Sequence, residues 1–161
     1  ITPALAKNAL GTLALAHPAR DAYLDYIRQE LYDKAVIESL FGRKRWLYQA
    51  WARRYIRPGD RWPKGEQWES AVRIGANDRI QATAADILKM SMVEIDNELA
   101  RRGMVARLVS TVYDEVVLEL PLHEVDSAYS IVREIFRTKL PGLDLEVEAR
   151  VGETWGYMEA L

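Results

Sequence analysis

The stretch Leu108–Glu119, LVSTVYDEVVLE, constrains this chain more than any other. Two runs of β-forming residues flank the adjacent carboxylates Asp114 and Glu115: Val109 and Val112 precede them, and Val116, Val117 and Leu118 follow. The pattern predicts a β-hairpin with the acids at or near its tip. A carboxylate pair between apolar strands is costly to keep unless it is solvated, paired or bound to a cation. Two readings follow. One is a polar turn, for which Asp is a favoured residue. The other is a site that uses the charge. Taken alone, the turn is the simpler reading, and the remainder of the chain has to decide between them.

With 161 residues, 49% of them hydrophobic, the chain can bury a core. It fits one ordinary domain or a piece of a larger protein. No stretch approaches the roughly 20 apolar residues of a membrane span. A membrane is therefore not an expected partner, and a cytoplasmic location is. There are no cysteines, which excludes disulfides and zinc-thiolate sites. His17 and His123 are the only histidines, too few for a multi-histidine metal site. Any metal here would be a hard cation held by oxygen. Charge is divided unevenly along the chain. Residues 41–80 hold ten bases against four acids, whereas residues 112–161 hold eleven acids against four bases. A basic half beside an acidic half suits polyanion binding or is simply an uneven surface.

Residues 2–16 read as a short buried helix weakened at Gly11. His17-Pro18 marks a boundary, and a helix is predicted from Pro18 to about Asp33, with Tyr23, Leu24, Ile27 and Leu31 on its core face. Strands are expected over Val36–Leu40 and Arg45–Tyr48, joined by a turn at 41–44 whose bases either touch phosphates or form a solvated loop. Residues 49–65 are irregular, with aromatics interleaved among bases. Such a segment can stack on nucleobases, or Trp46, Trp51, Trp62 and Trp68 cover a local apolar cluster. A helix is expected from Glu66 to about Gly75. A longer one is expected over Ile80–Arg102, closed by Gly103 at its C′ position. Its predicted buried stripe is Ile80, Ala84, Ile87, Leu88, Met92, Ile95 and Leu99.

Arg73, Asn77 and Gln81 are spaced by four. If the chain stays helical through Gly75 and Ala76, all three point the same way. Together they present donors suited to purine N3 and pyrimidine O2, the minor-groove acceptors common to all correctly paired bases. Past the hairpin, Pro121 is a stop and a helix is expected over 123–138. Pro141-Gly142 is a turn, and Leu143–Val151 (LDLEVEARV) alternates as a half-buried strand.

Three separated motifs then coincide. RIGANDRIQATAADILK, VSTVYDEVVLE and the ending LEVEARVGETW together resemble the C-terminal part of family A (polymerase-I-like) DNA polymerases. That family carries an Asn-x-x-x-Gln-Gly-Thr-Ala-Ala-Asp helix, a Val-His-Asp-Glu hairpin and a closing Val-Gly-x-x-Trp strand. The counterparts here are Asn77, Gln81 and Thr83–Asp86, then Val112–Glu115, then Val151, Gly152 and Trp155. Upstream, residues 17–45 resemble the fingers segment ending in a Leu-x-Gly-Arg-Arg turn. The resemblance covers roughly residues 17–48 and 73–155. It implies an α+β fold: a palm-type antiparallel sheet backed by helices, preceded by a mainly helical fingers portion. Residues 1–78 would be the C-terminal part of the fingers, with 49–65 an irregular insertion, and 79–161 the C-terminal part of the palm.

The resemblance also implies roles. Asp114 would ligate catalytic Mg2+, with Glu115 a supporting acid beside it. Arg73, Asn77 and Gln81 would contact the minor groove of primer–template DNA. Tyr113 stands where the family usually has His and would donate a hydrogen bond near the primer terminus, a role this substitution puts in question. Ala82 for Gly and Arg79 for Pro are further departures. Nucleotidyl transfer from a dNTP needs two divalent ions about 3.5–4 Å apart, and Mg2+ favours carboxylate oxygens. One hairpin aspartate cannot hold two ions. Neither the family's earlier Asp-bearing strand nor its nucleotide-binding Lys/Tyr helix is found in this sequence. The chain, which opens on Ile1, is therefore expected to be the last segment of a polymerase, inactive without a missing portion supplied in cis or as a separate chain. The competing expectation is a non-catalytic nucleic-acid-binding module descended from such a palm.

Overall fold

The computed structural model describes residues 16–50 and 59–161. The expected helix at 2–16, apart from Ala16, and residues 51–58 of the irregular segment, Trp51 included, lie outside the described residues. The chain divides into two compact units, Ile1–Thr83 and Ala84–Leu161. Each has its own core. Among the described residues no helix is long and apolar enough to cross a membrane.

In the first unit, helix α1 (Ala19–Lys34) falls within a residue of its predicted bounds. Its four-residue spacing turns Ile27 and Leu31 inward, both fully buried. Each such side chain contributes roughly 1.5–3 kcal/mol by leaving water. Strand β1 (Val36–Glu38) pairs antiparallel with β2 (Lys44–Trp46), with Ile37 opposite Arg45. Both strands are shorter than predicted. Gly42, at φ +86°, makes the turn between them, and the Ser39 hydroxyl accepts the Phe41 and Arg43 amides at 3.2 and 3.0 Å. Trp68 is fully buried in this core with Trp62 packed against it, whereas Trp46 is 59% exposed. The tryptophans are thus only partly a local cluster.

The two helices expected over 66–75 and 80–102 are one. Helix α2 runs without interruption from Glu66 to Arg101, 36 residues. The glycine that suggests a break serves packing instead. A β-carbon on Gly75 would lie 3.0 Å from Ile37 Cγ1 and 3.3 Å from Ile27 Cγ2. Its absence lets α2 press against both β1 and α1. That close approach outweighs the loss of about 1 kcal/mol in helix propensity. Other links hold the same seam. The Tyr23 hydroxyl donates to the Ala76 carbonyl at 2.8 Å, and burial pushes the Tyr23 phenol up from its ordinary value, partly offset by Arg79. Arg79 pairs with Glu30 at 2.8 Å, where the two side chains are 18% and 9% exposed. Its guanidinium also lies 4.8 Å from the centre of the Tyr26 ring. Thr83 accepts the Leu40 amide at 3.1 Å and donates to the Arg79 carbonyl at 2.7 Å.

In the second unit the buried row of α2 is Ile87, Ser91, Ile95 and Leu99. The expected stripe is therefore only half right, since Ile80 and Ala84 are exposed and Leu88 and Met92 half-buried. Two adjacent four-residue rows of the helix are apolar, and hydrophobicity alone does not say which one a neighbouring element will cover. The helix ends as expected. Gly103 is left-handed at φ +65°, its amide bonds Ala100, and the Met104 amide reaches the Leu99 carbonyl. This is the paired closure of a Schellman motif. Strands β3 (Arg107–Val112) and β4 (Glu115–Glu119) form the predicted hairpin. A single 3-10 turn (Leu122–Glu124) then leads into α3 (Val125–Arg137). Helix α3 buries Ala128, Ile131 and Val132, and the Lys139 ammonium just beyond it pairs with Glu94 of α2.

The closing strand is displaced. The ladder begins only at β5 (Arg150–Thr154), which pairs with β6 (Tyr157–Ala160), a strand the sequence did not suggest. Residues 143–149 keep the predicted alternation of burial, half-buried at Leu145, Val147 and Ala149, but join no ladder. Gly152 is required at the β5 bulge, because a β-carbon there would meet the Tyr157 carbonyl oxygen at 1.9 Å. Among the described residues the strands thus form three separate antiparallel pairs within a mixed α and β chain.

The Gly75 contact generates a prediction. Gly75→Val adds a branched side chain against Ile37 and Ile27 and should destabilise the first unit by roughly 1–3 kcal/mol. Combining it with Ile37→Ala should recover part of that loss. Urea unfolding of the single and double variants checks both statements.

Candidate functional site

The second unit presents its acids on the β3–β4 hairpin. Val112 pairs with Glu115, so Tyr113 and Asp114 are the two loop residues. The Thr111 hydroxyl donates to the Glu115 carbonyl at 2.9 Å, closing the turn. Tyr113 is left-handed at φ +56° and 95% exposed. A non-glycine residue in that conformation costs on the order of 1 kcal/mol and marks a turn worth attention. Asp114 and Glu115 are both exposed. Solvent removes the burial cost that first drew attention to them, and the hairpin fixes where they sit. A register shift between Leu108 and Ser110 leaves Val109 as an extra residue in β3. Such bulges re-aim a strand near its end.

Both acids line a groove of about 670 Å3. Val125, Ala128, Val132 and Phe136 of α3, residues 146–150, and Trp155 and Met158 line it as well. Carboxylates are hard oxygen donors and suit a hard divalent cation. Among the described residues, however, no three His, Cys, Asp or Glu side chains are grouped closely enough to enclose one. Asp114 and Glu115 fit such an ion in chemistry and fall short of a full site in number.

The first unit carries the other candidates. Because α2 is continuous, the condition on Arg73, Asn77 and Gln81 is met. They occupy successive turns of one helix face, and all three are exposed. The structure therefore brings the three polar residues into one row on this unit and brings the two acids together with Tyr113 on the other.

Glu124 went unnoticed in the sequence. Its two carboxylate oxygens accept the Val105 and Ala106 amides at 3.0 and 2.8 Å. It thereby fixes the two residues that lead into β3. The bond from Val105 holds its carboxyl below the usual carboxylate range. Ala106 and nearby His123 act in the same direction, and partial burial opposes them. Its partners are 18 and 19 residues away, so no local spacing could have revealed it. Glu98 is drawn down to about 2 by hydrogen bonds from Arg101 and Arg102, which close the last turn of α2.

Comparison with known proteins fits this arrangement. A model of DNA polymerase family A matches residues 1–157, and the chain belongs to that family. DNA polymerase I of Lactococcus lactis subsp. lactis is 31% identical over 156 residues, which is 96% of this chain and 17% of that protein. The thermostable DNA polymerase I of Thermus filiformis is 33% identical over 140 residues, 86% of this chain and 15% of that protein. The chain thus spans about one sixth of the length of these relatives. Among solved structures it resembles the POL domain of Pol1 from M. smegmatis, in complex with DNA primer-template and dNTP. The TM-score is 0.66 at 25% identity, covering 84% of this chain and 23% of that one.

Glu124 generates a pH prediction. Its folded-state value is depressed, so the folded chain binds fewer protons there than the unfolded chain does. The stabilisation is fully present above the ordinary carboxylate value of about 4.3 and is lost as pH falls through the lower folded value. Glu124→Gln should therefore be less stable than the parent at pH 7, and the gap should close in strong acid. Urea midpoints for the two proteins across the acid range measure this.

Proposed function

We propose that this chain is the C-terminal fingers and palm portion of a template-directed DNA polymerase, competent for nucleotidyl transfer once the rest of the polymerase is supplied. The observation that carries this reading is the hairpin tip, which presents Asp114 and Glu115 side by side to solvent on a paired strand scaffold. Family membership and the small fraction of each relative that the chain spans support it.

On this reading Asp114 is a magnesium ligand, and Glu115 steadies the same region from the adjacent position. When bound, magnesium supplies activation of the primer 3′-hydroxyl and neutralises charge on the leaving pyrophosphate. The remaining ligands come from the portion that this chain does not contain. The hairpin contributes rigidity, since ligands on paired strands hold their geometry better than ligands on loops. Arg73, Asn77 and Gln81 donate to minor-groove acceptors of the primer–template duplex. Those acceptors are shared by all correct pairs, so the row senses pair shape without reading sequence. The Tyr113 hydroxyl, projecting from the turn, donates near the primer end. The substrates are primer–template DNA and a dNTP, and the cytoplasm is the expected compartment.

Primer extension with and without a co-expressed upstream polymerase polypeptide tests the proposal. Extension should require both chains. In the assembled protein, Asp114→Asn should abolish incorporation and leave DNA affinity near that of the parent. Near-normal rates in that variant would overturn the assignment, and assembled protein that binds DNA but never extends a primer would favour a binding module without chemistry.

The α2 row carries its own prediction. Asn77→Ala and Gln81→Ala should each weaken primer–template binding by roughly 1 kcal/mol, equally across duplex sequences. Arg73→Ala should also lower the salt dependence of binding by about one unit of slope. Fluorescence anisotropy over a salt series reads all three.

A further inference from the structure

The β1–β2 hairpin meets α2 at two points about one helical turn apart. Ile37 and Arg45 stand directly opposite each other in the hairpin, and residues so paired project from the same face of a sheet. Ile37 fills the notch at Gly75. Arg45 reaches Asp78, its Nη1 donating to Oδ1 at 2.6 Å. The Arg45 side chain is 61% exposed and that of Asp78 only 15%. The second oxygen of Asp78, Oδ2, is buried with no hydrogen-bond partner among the described residues. A carboxylate is kept in such a place only if its charge is compensated, and the Arg45 guanidinium supplies the compensating charge. The neighbouring residues of α2 are held as well: Ala76 by Tyr23, Arg79 by Glu30, and Thr83 by the Leu40 amide. Asn77 and Gln81 lie among these anchored positions and are exposed.

We infer that Asp78 is a positioning residue for DNA recognition: by holding Arg45 it locks the hairpin in register along α2 and sets where Asn77 and Gln81 stand. The inference rests on the reading of Arg73, Asn77 and Gln81 as a minor-groove row. Side chains that read base edges need placement to within about 0.5 Å, and that precision comes from the groups packed behind them. The bond to Arg45 acts one residue from Asn77 and three from Gln81. An ion pair with one member this exposed adds little to stability, so holding the fold together does not account for a carboxylate with a buried, unpartnered oxygen. Nor does attraction to DNA account for it. An acid next to Asn77 repels a polyanion, and its cost in affinity is offset only by what it holds in place.

The sign of one substitution tests this. Asp78→Asn keeps the shape of the side chain and removes a negative charge, so by charge alone it tightens binding to DNA. Loss of positioning weakens binding instead. Fluorescence anisotropy with a labelled primer–template duplex is measured on the full chain, under conditions where urea unfolding shows every variant to be folded. Asp78→Asn and Arg45→Met are each expected to raise Kd about fivefold. The reversed pair, Arg45→Glu with Asp78→Arg, is expected to return it to within about twofold of the parent. Tighter binding by Asp78→Asn would leave Asp78 as a repulsive charge and overturn the inference. Failure of the reversed pair to recover affinity would make Arg45 a direct DNA contact and overturn it too. Asn77→Ala separates the positioning role from the row itself. If Asn77→Ala weakens binding while the Asp78 and Arg45 variants bind as the parent does, the positioning role fails and the polymerase reading stands. If none of these changes the affinity, the row reading fails and the positioning role falls with it.

Discussion

The unbroken course of α2 is the constraint on which the other features depend. One 36-residue helix contributes Trp68, Ala71 and Val72 to the core of the first unit and Ile95 and Leu99 to that of the second. It runs straight through Gly75, which packs tightly against Ile37 and Ile27. Had the helix broken there, Arg73 would belong to a different segment from Asn77 and Gln81, and the polar row would not exist. Arg79 belongs to the same account. Where the family's usual Pro would withhold a backbone donor and crowd the preceding turn, an Arg keeps the helix intact and ties it to Glu30 and Tyr26.

From the end of α2 onward, polar contacts fix the route of the chain at several points beside the apolar core. Gly103 turns it, the Met104 amide closes the helix, and Glu124 holds residues 105 and 106 before β3 begins. The tip acids sit at the end of this series of fixed points. A carboxylate that accepts two backbone amides is well suited to such a joint. It satisfies two donors at once and is directional, and its pull on the backbone does not depend on filling a cavity. Beyond α3, the Tyr129 hydroxyl donates to the Val147 carbonyl at 3.2 Å and the Leu161 amide to the Ala149 carbonyl at 3.0 Å, which fixes residues 143–149 without a ladder.

Much of this was legible in the sequence, because local chemistry decides it. The hairpin follows from two β-forming runs about a turn, α1 from its four-residue apolar repeat, and the close of α2 from Gly103. Where a residue's conformation is set by its own steric limits or by neighbours three or four positions away, the order of residues is enough to read it. The motif spacing also led to the family, and with it to Asp114, Glu115, Arg73, Asn77 and Gln81 as the residues to watch.

Tertiary structure alone decided the rest, for a common reason: in each case two or more answers satisfied the local pattern equally. Gly75 is equally a helix break and a packing notch until Ile37 is placed against it. Two neighbouring rows of α2 are apolar, and only the elements that cover one of them show that Ile87, Ser91, Ile95 and Leu99 face inward while Ile80 and Ala84 do not. Residues 143–149 alternate as a strand should, but alternation reports which side chains are covered, not whether a second backbone lies within hydrogen-bonding reach. Glu124 looks like any surface acid until the fold carries residues 105 and 106 to it. The sequence by itself determined the hairpin, α1 and the close of α2, and it put two carboxylates at or near the hairpin tip. The packing of distant segments determined which faces are buried and how the residues leading into the hairpin are held.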